Sequence, residues 1–251
     1  MTDFKMAWLR AIPLISAATL AATPAAAACF DLANGEPHVL KGTLSSRIAP
    51  GPPSFQGVDK GDAPVPIFVL QLSEPICLTG SEYADPRALF FEAQLLPTDQ
   101  TAKAMRSLDN SSVNVTLADA YGAMTHWQYR PLVASVTAIS PAPDIAPLGV
   151  AASTVIGFYE SLGDGRGDDA AQFVVPERRT GPFSPGEMTR FYGGLVEPLR
   201  LLSITPASPH AYLVRYAFKG RAGQCNGRAL VTTTTRARYD LISSVKALDG
   251  C

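Results

Sequence analysis

The ten residues from Ser140 to Gly149 divide this chain, because Pro141, Pro143, Pro147 and Gly149 fit neither a helix nor a central strand. An extended linker over 141–150 is therefore expected, with one domain at 29–140 and another at 151–251. The four cysteines respect the division: Cys29 and Cys77 precede it, and Cys225 and Cys251 follow it. Four cysteines allow three pairings, and this split favours Cys29 with Cys77 and Cys225 with Cys251. No Cys-x-x-Cys or His-x-x-x-His spacing occurs, so the sequence points to no metal and no cofactor.

Residues 1–28 indicate the compartment. Lys5 and Arg10 precede the apolar run Ala11–Leu20, and Ala25 to Ala28 lead directly into Cys29, the order of a signal peptide and its small-residue cleavage box. The run is shorter than the roughly 20 apolar residues of a spanning helix, and Pro13 and Pro24 interrupt or end it. A mature chain of roughly 220 residues is expected outside the cytoplasm, periplasmic or secreted, where thiols oxidise. The alternative is a lipoprotein acylated at Cys29, which would leave Cys77 unpaired. A formal net charge of -1 gives no pull toward nucleic acid or anionic membranes, and 47% hydrophobic residues suffice for a packed core.

Five runs before the linker read as strands: Val39–Arg47, Ile67–Leu72, Leu89–Leu95, Ser112–Leu117 and Leu132–Ile139. Between the third and fourth, Ala102, Met105 and Leu108 recur at helical spacing, with Thr98 or Asp99 as the expected cap. Five strands with a helix in that place is the order of an OB-like β-barrel, and the Pro/Gly-rich stretch Ala49–Pro66 would be a long loop after its first strand. Gly42-Thr43-Leu44, the segment Phe68 to Cys77 and the ending Thr125-His126 to Ile139 resemble a bacterial exported domain family of unknown function. That family often carries a second histidine where this chain has Trp127, a departure that weakens any metal reading.

After the linker, Val155, Ile156, Tyr159 and Leu162 form one face of a helix that Ser153 or Thr154 would cap. A short helix from Asp168 or Asp169 to Val174 and a third from Ser184-Pro185 follow. Four strand-like runs end the chain: Leu199–Thr205, Tyr212–Phe218, Arg228–Thr235 and Asp240–Ala247. In the second, Tyr212, Val214, Tyr216 and Phe218 share one face, with Leu213, Arg215 and Ala217 on the other. Phe158 to Leu162, Val174 to Arg179, Phe191 to Leu195 and the terminal meander resemble the nuclear-transport-factor-2-like superfamily. That resemblance implies a cone-shaped α+β domain with a curved antiparallel sheet, in a superfamily that spans isomerases, dehydratases, cyclases and silent binding domains.

The chemistry-bearing residues are few. His38, His126 and His210 have no local arrangement that prepares a base, and no Gly-x-Ser-x-Gly elbow occurs. In a cone, Glu177 or Asp168 beside Tyr159, Tyr192 and Tyr216 would be the acid/base set, and Arg178, Arg179 and Arg215 would receive an anionic ligand. The expected pocket is thus Tyr159, Glu177, Arg178, Arg179, Tyr192, Arg215 and Tyr216. The expected role is a non-enzymatic binding or interaction module of the cell envelope, taking a small molecule, a glycan or an envelope protein. An isomerase- or hydratase-type enzyme is the alternative.

Overall fold

The computed structural model describes residues 27–237 and 239–250. The first half contains β1 (Ala28–Asp31), β2 (Val39–Pro50), β3 (Pro64–Thr79), β4 (Phe90–Pro97), α1 (Ala102–Ser107), β5 (Ser112–Gly122) and β6 (Leu132–Pro141). Strand β2 pairs antiparallel with β3 and β5, β3 with β4, and β5 with β6. The parallel pair β4–β6 closes the ring. This is a closed five-stranded barrel, and its order, with the helix between β4 and β5, fits the OB-like expectation. Closure follows from alternation: Leu44, Leu70, Leu95, Val113, Val115 and Val136 point inward and are essentially inaccessible, and Met105 of α1 joins the same core. Gly42 sits where β2 crosses β3 closely, since a Cβ there would lie 2.3 Å from the Gln71 carbonyl oxygen.

Strand β1 was not foreseen. It lies outside the ring, parallel to the end of β3, and a disulfide joins Cys29 to its register partner Cys77. A sulfur in that bond cannot also carry a thioether-linked lipid, so this pairing and acylation of Cys29 are mutually exclusive. Cys225 is also disulfide-bonded, and its expected partner Cys251 lies outside the described residues, as do residues 1–26 of the expected signal peptide. Among the described residues no helix is long and apolar enough to cross a membrane. The disulfide is compatible with an exported protein.

The second half contains α2 (Ala152–Gly163), α3 (Gly167–Gln172), α4 (Pro185–Tyr192) and the antiparallel meander β7 (Glu197–Ser208), β8 (Ala211–Gly220), β9 (Gly223–Arg236) and β10 (Tyr239–Asp249). The expected cone-shaped α+β domain is not what forms. The structure is mostly β, 49% strand and 20% helix, a barrel plus a second antiparallel sheet. The helices span only 12, 6 and 8 residues. They cover one face of the sheet, and the space beneath them is filled by Val155, Ile156, Tyr159, Leu162, Val214 and Val231 rather than left hollow.

The two halves share core. Alternation along β4 sends Phe90 into the barrel and Phe91 outward into the core of the second sheet. Segment 142–150 runs between them and is held by both: the Leu148 N–H donates to Thr43 Oγ1 at 2.8 Å, and the Tyr212 hydroxyl donates to the Leu148 carbonyl at 2.8 Å. A polar seam completes the junction. Ser153, expected as a helix cap, instead donates to Glu92 Oε1 at 2.6 Å and accepts from Arg47 Nη2 at 2.9 Å, while Arg130 Nε donates to Glu92 Oε2 at 2.5 Å.

Candidate functional site

The structure separates the seven expected pocket residues. Tyr159 is buried 6.0 Å from the ring of Tyr216, and burial first, then Tyr192 and Tyr216, raises its phenol. Tyr192 lies edge-on to Phe191 at 4.9 Å, and burial pushes its phenol up to about 12. These three tyrosines share one aromatic cluster. The charged residues do not join them. Glu177 is exposed and pairs with Arg236 at 2.5 Å, Arg179 donates to the Val174 and Gln172 carbonyls, and Arg178 borders a small cleft with Val174 and Phe183. Arg215 stands on the open face of the sheet, in register with Arg228 and Ser203. Glu177, committed to Arg236, therefore does not join the tyrosines. Among the described residues no cluster of metal-ligating side chains forms.

A different constellation assembles at the barrel mouth from two loops that the sequence reading left without a role. Residues 51–63 join β2 to β3, and residues 123–131 join β5 to β6. Phe55 of the first lies 5.8 Å from His126 and 4.9 Å from Trp127 of the second, nearly parallel to the imidazole and at 71° to the indole. Trp127 keeps 55% of its surface exposed, so this aromatic notch faces water instead of filling a core.

Buried polar groups fix the notch. Gln94, on β4, donates to the Trp127 carbonyl at 3.3 Å and accepts from the Tyr129 N–H at 2.7 Å. Gln128 Oε1 accepts from the Met124 and Thr125 N–H groups, and the Tyr129 hydroxyl donates to the Pro50 carbonyl at 2.8 Å. Across the notch, Asp62 organises the first loop by accepting from the N–H groups of Gly57 (2.9 Å), Ser54 (2.7 Å) and Gln56 (2.6 Å), and from the Ser54 hydroxyl. Phe55 is held at φ 59, a left-handed conformation that an aromatic residue adopts only under such constraint.

These donors, the Gly57 N–H first, stabilise the Asp62 carboxylate and hold it down to about 2. A carboxyl lowered on folding contributes stability above its unfolded value near 4 that is lost as pH falls through the folded value. The loop should therefore stay closed at neutral pH and open between about pH 4 and pH 2, moving Phe55 off Trp127. Tryptophan emission followed through an acid titration checks this, and Asp62→Ala should show the acid-form emission already at pH 7.

The sequence signal for this site was faint: a phenylalanine in a Pro/Gly loop and a tryptophan in a histidine's place. No protein-family model matches the chain, and no curated protein matches it.

Proposed function

We propose that this chain is an exported, non-enzymatic binding module of the cell envelope that recognises a glycan at the barrel mouth. The observation that carries the reading is Trp127, more than half exposed yet held through its backbone by the buried Gln94. A recognition surface benefits from rigid aromatic faces, because little side-chain freedom is lost on binding. Phe55 and Trp127 set two such faces steeply across each other, a notch that takes the apolar face of a sugar ring on one and its edge on the other. The formal charge of -1 brings no electrostatic attraction for a polyanion, which favours a neutral saccharide over nucleic acid. The outer face of β3 and β4, the second and third strands of the ring, where OB-like barrels often hold ligands, meets the second half through Phe91 and Glu92. The loops then remain as the accessible contact.

The sequence holds two tryptophans, Trp8 in the expected leader and Trp127. Intrinsic fluorescence of the mature chain therefore reports this site alone. Titration with a panel of soluble oligosaccharides should quench it saturably, and Trp127→Ala, read by calorimetry, should weaken binding about tenfold to a hundredfold. Phe55→Gly removes one wall while relieving the left-handed backbone, so affinity should fall with little change in melting temperature. A panel without a single binder, or wild-type affinity in both variants, would overturn the proposal.

A further inference from the structure

The geometry points to a second binding site, independent of the barrel mouth, that takes a small amphiphilic carboxylate. An open bowl of about 590 Å³ lies between the end of α4 and the β8–β9 hairpin, within the size range of small-molecule sites. Its walls are Phe191, Leu195 and Phe218, and Cys225 lies at its base. Phe191 keeps 53% of its surface exposed at the mouth, an apolar ring with no structural need to face water.

The aromatic wall is braced from behind. Phe218 lies edge-on to Phe191 at 5.9 Å and parallel to Tyr216 at 6.3 Å. The Tyr216 ring in turn occupies the space over Gly227, where a Cβ would come within 2.5 Å of it. Phe218 thus cannot fall into the bowl without unpacking the core beneath it, and the cavity persists without a ligand.

Charge at the rim selects the ligand. Arg190 is paired with Glu187, and next to the hairpin Lys219 is paired with Glu197. Arg221, on the hairpin between Gly220 and Gly223, has no hydrogen bond or ion pair among the described residues. The bowl therefore offers apolar walls with one uncommitted guanidinium at the edge. An apolar body that ends in a single anionic group matches both features, and the guanidinium fork favours a carboxylate.

The test uses the mature chain with its disulfides intact. The probe 8-anilinonaphthalene-1-sulfonate, itself an apolar anion, should bind and be displaced by octanoate more effectively than by 1-octanol, its uncharged counterpart of equal length. Arg221→Gln should weaken octanoate about tenfold and leave octanol unchanged. Phe191→Ser, at a half-exposed position, should weaken both, with the melting temperature measured alongside to show that the fold is kept. Equal displacement by acid and alcohol, or octanoate affinity indifferent to Arg221→Gln, would overturn the assignment. So would a dimer in sedimentation that Phe191→Ser dissolves, because the bowl would then serve a second copy of the chain.

Discussion

Replacing Glu92 by leucine should cost the folded chain about 3 kcal/mol, because removing one partner of a buried ion pair leaves the other charge uncompensated. Glu92 has 11% of its side chain exposed and Arg130 27%. Arg47 depends on the same carboxylate: burial lowers its affinity for a proton, Glu92 is the largest opposing influence, and its buried Nε finds no acceptor. Ser153 would also lose the oxygen to which it donates. Glu160 of α2 is pushed up to about 7, first by lost solvation and then by Glu92, so replacing Glu92 also removes one influence that holds Glu160 neutral. For a chain of this size the melting temperature should drop by about 6 to 12 °C. Glu92→Gln keeps an oxygen for Ser153 and should cost roughly half as much. Because these groups join barrel to second sheet, thermal unfolding of Glu92→Leu should separate into two transitions where the parent shows one. A single transition at the parental temperature would mean that shared packing, led by Phe91, is sufficient at the junction.

The same seam marks what the sequence did not reveal. Ser153 stands where a helix cap belongs, and local rules assign it to the helix; its actual partner, Glu92, is supplied by a distant barrel strand. Local periodicity was otherwise informative. Alternation along β8 separated Tyr212 and Val214 from Arg215 without saying which face turns inward, and the structure packs the tyrosine face against the helices; the helical face of Val155, Ile156, Tyr159 and Leu162 is buried as expected. Strand lengths were less legible. The run Ile67–Leu72 is the middle of a strand from Pro64 to Thr79, and Pro75 is tolerated because it falls in the register shift between Gln71 and Ile76, where β4 requires no N–H.

Fold above the level of single elements was legible for the barrel and misread for the second half. Helices followed by a meander specify which faces are apolar. They do not specify how strongly the sheet curves or whether its concave side is hollow, and here that side is solid. The candidate site failed to show for a related reason. Phe55 and Trp127 are unremarkable separately, and their meaning comes from a loop fold directed by Asp62 and a backbone anchor supplied by Gln94.

Changing both Cys29 and Cys77 to serine should destabilise the chain by about 4 kcal/mol, the loss of restriction on an unfolded loop of this length. The two residues are 48 apart, and the segment between them contains all of β2 and most of β3. The double replacement avoids leaving one thiol free to form intermolecular bonds. The local consequence is sharper than the global one. Strand β1 has four residues and a single neighbour, the end of β3, so without the disulfide its pairing cannot offset the entropy of ordering it. The ring itself closes through β2 to β6 and does not use β1. Hydrogen exchange in the double variant should therefore lose protection at residues 28–35, while amides of Leu70 and Val115 stay protected and the melting temperature falls by about 8 to 16 °C. Loss of protection throughout the barrel would show instead that β1, whose Phe30 packs half-buried against the barrel core, is needed to close its end.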